Sequence, residues 1–182
     1  MKKIICVEGR SNAGKDTFAR KLSQDYGIDI VCSFTTRPMR EYETDGLEHR
    51  FISKEKMAEL RVRNDLIAYT INEKTGIEYC ANDSCLTGDC MIYIINPNGV
   101  SWLKEHRPDI RLLRVFLDCE EQVLISRGIA RGDNKEVLLK RLASEREEFN
   151  ALKDNKDYDV YIDNSKDIYL NYNLINKFLE EN

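Results

Sequence analysis

The sequence predicts an α/β domain built on a parallel central sheet. Two observations carry that expectation. The first is a strand–loop–helix unit at the start of the chain. Apolar Ile4-Ile5-Cys6-Val7 leads into residues 9–17, GRSNAGKDT, and these lead into Phe18-Ala19-Arg20-Lys21-Leu22. The second is the alternation that follows, in which short apolar runs are separated by amphipathic stretches, as strands are by crossover helices. The 182 residues suit a single domain with a full core.

The loop has the spacing G-x-x-x-x-G-K between a strand and a helix, the context that a phosphate-binding loop requires. Gly9 and Gly14 permit backbone geometry and close approach that a side chain would block. The loop amides, through Ser11, Asn12, Ala13 and Gly14, converge with the helix N-terminus on one spot and attract an anion. Lys15 adds a full positive charge where the β- and γ-phosphates of a nucleotide would sit. Asp16 stands where the motif has Ser or Thr, and Thr17 comes one place later. Mg²⁺ takes oxygen ligands, so Asp16 and Thr17 are the candidate metal ligands. Without a metal, Asp16 would repel a triphosphate. The bland alternative is a strand-to-helix turn that happens to contain glycines. It leaves the agreement of spacing, lysine and flanks unexplained.

Bulk properties narrow the function. Net charge is −4, with 33% charged and 42% hydrophobic residues. There is no general basic excess, so a nucleic-acid polymer is not the expected partner. No segment approaches the roughly 20 apolar residues of a membrane span. The opening MKKIICVEG lacks the longer apolar region of a signal peptide, so a cytoplasmic location is expected. Six cysteines then read as free thiols. Cys6, Cys32 and Cys119 lie in or beside apolar strands and read as core. Cys80, Cys85 and Cys90 are evenly spaced, but the spacing is no zinc pattern and no fourth ligand is evident.

After the loop, a helix through Phe18, Leu22 and Tyr26 should stop at Gly27. Residues 28–32 read as a second strand. Next comes Ser33-Phe34-Thr35-Thr36-Arg37-Pro38-Met39-Arg40, with two arginines three apart among hydroxyls. Arginine matches phosphate oxygens in a bidentate way, which makes this a candidate anion site. Taken alone, a solvated basic turn is the better reading.

That octet does not stand alone. It is followed by Glu43-Thr44-Asp45-Gly46-Leu47-Glu48-His49-Arg50-Phe51-Ile52-Ser53. Together with the loop, the block closely resembles the guanylate kinase family, whose pattern is S-x-T-T-R-x-x-R and then D-G-x-x-Y-x-F-V-S. The order of motifs continues to about Asn164. The resemblance implies a three-layer P-loop kinase fold with a small monophosphate-binding subdomain and an arginine lid. It implies one domain over 1–182, with a core of 1–32, 89–126 and 142–182, a subdomain at about 33–88 and a lid at about 127–141. It also implies a phosphotransferase moving the γ-phosphoryl of ATP, with Mg²⁺, to a nucleoside monophosphate, GMP first, in a monomer or homodimer.

Site residues carry over by position. Ser33, Arg37 and Arg40 match the family's monophosphate ligands, and Tyr79 keeps a phosphate-binding hydroxyl. The family's phosphate-binding Tyr falls on His49. Its guanine-reading Glu and Ser fall on Ala68 and Ala81, which removes two partners of the guanine edge and weakens discrimination. Glu73 and Glu78 lie nearby as possible replacements. The Walker B acids fall on Ile94 and Asn96, neither acidic, and Asn96 is kept as a substrate-side candidate. We expect the metal's carboxylate to have moved from the strand to Asp16.

The remaining elements follow in order: a helix at 54–63, a short helix and turn at 82–88, a buried strand at 90–95, and a helix at 100–105 with Trp102 and Leu103 inward. A strand at 111–118 precedes a helix at 120–128 with Val123, Leu124 and Ile125 inward. Arg127 and Arg131 flank glycines in a segment read as mobile, and a helix beginning near Val137 carries Arg141. Arginines closing over a phosphoryl group stabilise its spread charge and exclude water. The resemblance assigns Arg127, Arg131 and Arg141 this role. A basic helix end favoured by the dipole is the plain alternative. A strand at 160–164 ends on Asn164, matched to the family's adenine-side Asn. A closing helix at 168–179 should turn Leu170, Leu174, Ile175 and Phe178 inward. Two rival functions are a same-fold kinase for another nucleotide or a small phosphorylated metabolite, and a non-catalytic guanylate-kinase-like binding module.

Overall fold

The structure, a computed structural model, describes residues 1–41, 43–73, 75–165 and 173–181. β1 (Lys2–Gly9) runs through the loop into α1 (Lys15–Tyr26). The chain then builds β2 (Phe34–Thr35), β3 (Arg50–Phe51), α2 (Lys54–Arg61), β4 (Leu66–Asn72) and β5 (Ile77–Asn82). A 3-10 turn at Asp83–Cys85 leads to β6 (Cys90–Ile94), α3 (Pro97–His106) and β7 (Ile110–Asp118). α4 (Glu121–Ala130), α5 (Lys135–Asn155), β8 (Val160–Asp163) and α6 (Asn173–Glu180) complete the described chain.

The expected parallel central sheet is present, in the order β6-β1-β7-β8. A parallel sheet is covered on both faces, so its strands read as unbroken apolar runs. In β1, Ile5 and Val7 face Phe18 and Leu22 of α1, in a core that also takes Leu124, Leu138, Leu142 and Phe178. Ile4 and Cys6 point the other way, into a core with Met91, Tyr93, Val100 and Leu103. Helix, sheet and helix are therefore three layers around β1.

A second sheet, ordered β3-β2-β5-β4, mixes one parallel pair with two antiparallel ones. α2 closes it, with Met57 and Leu60 against Leu66 and Cys80. The strand expected at 28–32 shrinks to a single bridge between Ile30 and Ile92. The chain leaves the edge of the central sheet there and joins the second one, where the Ser33 carbonyl already accepts the Arg50 amide at 2.8 Å.

Other boundaries move for local reasons. α2 stops at Arg61. α3 starts at Pro97 rather than 100, because Asn96 caps it by accepting the Gly99 N–H at 2.8 Å and proline suits the first helical turn. α5 starts at Lys135, capped by the Asn134 side chain. In α6, Ile175 and Phe178 are buried as expected, but Leu174 is exposed. Ile168 and Leu170 lie outside the described residues. No helix among the described residues is long and apolar enough to cross a membrane.

Candidate functional site

The loop is held in shape by its own partners. Gly14 caps α1 at φ 89°, and a Cβ there would come closer than 3.0 Å to the Asn164 side chain. Asn164 fills that space because its Nδ2 donates to the Ala13 carbonyl at 2.6 Å. Buried Asn164 is thus a brace of the loop. The Lys15 ammonium donates to the carbonyls of Gly9 and Arg10, at 2.8 and 2.9 Å. Burial pulls its pKa below the usual ammonium value, while Glu145 and Asp16 pull it back up. Asp16 and Thr17 are exposed on the first turn of α1.

Opposite the loop, the second sheet presents its cations. Glu43 is buried and takes both guanidinium nitrogens of Arg37, at 2.7 and 2.8 Å, and the Arg40 amide at 2.8 Å. Burial alone would raise the Glu43 pKa, but Arg37 and the Arg40 amide hold it below the usual range. Glu43 fixes where Arg37 and Arg40 sit. His49 packs edge-on against Phe51 and Tyr79, with its Nδ1 3.0 Å from the Ser33 hydroxyl. Burial and then Arg37 push the His49 pKa down.

Between these parts lies a cleft of about 550 Å³. Asn12, Gly14, Lys15, Asp16 and Thr17 line it from the loop. Arg37, Arg40, His49 and Tyr79 line it from the second sheet and its loops, and Arg127 and Arg131 from the end of α4. Arg127 lies in helix α4, and it donates to the Asn164 carbonyl at 2.9 Å. Arg131 pairs with Asp133 at 2.7 Å.

Other expected residues stand outside the lining. Ser33 is buried behind His49, and Ala13 is buried under the loop. Gly9 ends β1, Asn96 caps α3, and Ser11 is bonded to Glu145. Arg141 sits on α5, near enough to Asp133 to act on its charge. The structure adds Arg20, Glu43 and Glu48 to the lining, together with Ile94, named above only as the place of a missing acid. Glu43 had a local signal, a carboxylate three places after Arg40. The Arg20–Glu48 pair, at 2.8 Å, joins distant segments and had none.

The positions that the family resemblance matches to base reading are closed. Ala68 and Ala81 face each other across β4 and β5 and are buried in the core. Glu78 is buried, bonded to the Tyr69 hydroxyl at 2.6 Å and to Arg61 at 3.3 Å. Glu73 is exposed in the turn between β4 and β5. Neither carboxylate lines the cleft. All six cysteines are free thiols.

A guanylate kinase family profile matches residues 1–182. A guanylate kinase of Gloeobacter violaceus is 30% identical over 168 residues, spanning 90% of this chain and 81% of the relative. One of Clostridioides difficile is 31% identical over 166 residues, spanning 88% and 79%. Among solved structures, guanylate kinase from Anaplasma phagocytophilum superposes with a TM-score of 0.66 at 21% identity, covering 91% of this chain and 78% of that one.

Proposed function

The chain belongs to the guanylate kinase family, which transfers a phosphoryl group from ATP to GMP to give GDP, and on that premise we propose how its own residues do so. The observation that carries the proposal is the shared cleft, in which Lys15, Arg37, Arg40, Arg127 and Arg131 meet around one space. Two phosphorylated molecules placed end to end would each meet cations there. Phosphoryl transfer needs little covalent chemistry from the protein, so positioning and electrostatics are the main tasks.

Lys15 and the loop amides hold the donor's phosphates. Arg37, Arg40, His49 and Tyr79 hold the acceptor phosphate, with Ser33 orienting His49 and Glu43 orienting Arg37. Arg127 and Arg131 face the space between and balance the charge of the group in transit. Arg141 would join them by movement of α5. No side-chain base is required, because the acceptor is already an anion.

Asp16 and Thr17 would hold Mg²⁺. The donor set fits, since Mg²⁺ uses one or two carboxylates and takes its other oxygens from phosphates and water. Asp16 is a carboxylate on the cleft wall, and the Ile94 side chain in the same lining offers no oxygen. When bound, the ion would neutralise part of the charge on the phosphates. The proposal keeps a cytoplasmic location and a monomer or homodimer.

The test is a panel of monophosphates with ATP and Mg²⁺, read by ADP release and product identity. GMP is expected to turn over. With Ala68 and Ala81 in the base-reading places, other purine monophosphates should be rejected less sharply than by an enzyme with a carboxylate there. An inert GMP alongside an active alternative acceptor would overturn the assignment.

A further inference from the structure

The three residues after Gly9 all reach α4 or α5. Arg10 donates to Glu121 of α4 at 3.1 Å and to the Leu142 carbonyl of α5 at 2.8 Å. Asn12 donates to the Leu124 carbonyl at 3.2 Å. Between them, Ser11 binds Glu145 of α5 twice. Its backbone N–H donates to Oε2 at 2.8 Å, and its hydroxyl donates to Oε1 at 2.6 Å.

The Ser11 contact differs in kind from its neighbours. Asn12 meets a backbone carbonyl, and Arg10 pairs as a cation. Glu145 is an anion seated on an amide of the loop whose amides form the phosphate cradle. Its oxygens sit at the short distances of charge-assisted hydrogen bonds. Its charge also reaches Lys15. A carboxylate with two oxygens bound in this way resembles a phosphate edge. One amide proton cannot serve both, and two anions a few ångströms apart repel each other.

We propose that the Glu145 carboxylate is a resident anion of the phosphate loop, which the donor's phosphates displace, so that donor binding unlatches α5. The idea rests on the reading of residues 9–17 as the donor site. Glu145 therefore lowers donor affinity and positions α5; it takes no part in bond making. Arg141 lies one turn earlier on the same helix and, with a spacing of four, on the same face. Release of Glu145 is then the step that lets Arg141 approach the cleft.

The experiment measures ADP and inorganic pyrophosphate binding by calorimetry on the full chain. It compares wild type with Glu145→Gln, Glu145→Ala and, as a control, Glu147→Gln, which removes an exposed charge from the same helix. Loss of the competing charge should tighten both ligands by about tenfold in the Glu145 variants, one charge-assisted hydrogen bond's worth. The control should match wild type. Unchanged or weaker binding in Glu145→Gln overturns the latch and makes the contact a structural tie. So does equal tightening in the control, which would be a general charge effect. If wild type binds neither ligand, the donor-site reading fails and the latch fails with it. Glu145→Gln keeps the shape of the side chain, so the comparison stands even if the alanine variant folds poorly.

Discussion

At the scale of single residues, two departures from the family pattern carry testable chemistry. Asp16 follows Lys15 at the point where the loop motif has a hydroxyl, and on the proposed match Ile94 and Asn96 take the places of acids. If Asp16 supplies the metal's carboxylate, Asp16→Asn should raise the Mg²⁺ needed for half-maximal turnover by about 10–100-fold, the range seen when a metal site loses a supporting group. A magnesium titration of GMP phosphorylation reads this directly, and an unshifted curve would show that the carboxylate has not moved there. His49 is the second departure. The groups facing it are Arg37 and Arg40, which lower its pKa, and Glu43 and Asp16, which raise it. Burial adds to the lowering, so the ring should titrate below its ordinary 6.5. A neutral ring in the folded state stabilises the protein above that value and loses the contribution as pH falls and the unfolded chain protonates first. A bound phosphate reverses the balance by favouring the imidazolium. We therefore expect GMP to raise the His49 midpoint, seen as a shifted ring-proton titration by NMR. An unmoved midpoint would remove His49 from the acceptor site.

At the scale of elements, legibility followed burial. The central strands were readable because both faces are covered, and runs such as Ile4–Val7 or Met91–Ile94 stand out. The second sheet was not. β2 and β3 are two residues each and exist only through pairing with β5 and with each other, which no local run encodes. The phosphate loop and the Arg37–Arg40 pair were legible because their spacing is local. The ties of Arg10, Ser11 and Asn12 to α4 and α5 were not, since they span more than 100 residues of sequence. Gly128 shows the difference. Its sequence neighbours suggest only a glycine among lid arginines, whereas in the structure it is buried in α4, where a Cβ would lie closer than 3.0 Å to both the Asn12 and Leu138 side chains. Gly128→Ala gains about 1 kcal/mol of helix propensity. The crowding costs about 1–3 kcal/mol, because Leu138 is fully packed and cannot yield freely. The net expectation is a loss of about 1 kcal/mol in urea unfolding, with weaker ADP binding because Asn12 must shift. A variant more stable than wild type, with unchanged ADP affinity, would show that the helix contact with the loop is loose.

At the scale of the whole molecule, the loop is anchored from below by a buried ion pair. Glu8, the residue before Gly9, is fully buried and accepts two bonds at 2.7 Å from Arg114 of β7. Arg114 also pairs with Asp157 beyond α5. Burial pushes the Glu8 carboxyl above its usual range, and Arg114 works against that push. Replacing such a pair by apolar groups is often neutral, whereas removing one partner strands a charge in the core. Arg114→Met alone should cost about 3–5 kcal/mol at pH 7. The stranded Glu8 would then be protonated more readily in the folded state than in the unfolded one. A carboxyl with a raised folded pKa is most favourable when protonated, and its penalty grows as pH rises through the interval between the unfolded and folded values. The deficit of Arg114→Met should therefore shrink between pH 7 and pH 5. Adding Glu8→Gln to that variant should remove the pH dependence, because no carboxylate remains to strand. Urea unfolding of the single and double variants at both pH values checks each step. A deficit of equal size at pH 5 and pH 7 would mean that water reaches Glu8 once Arg114 is gone, and that the floor beneath the phosphate loop is held by packing rather than by charge.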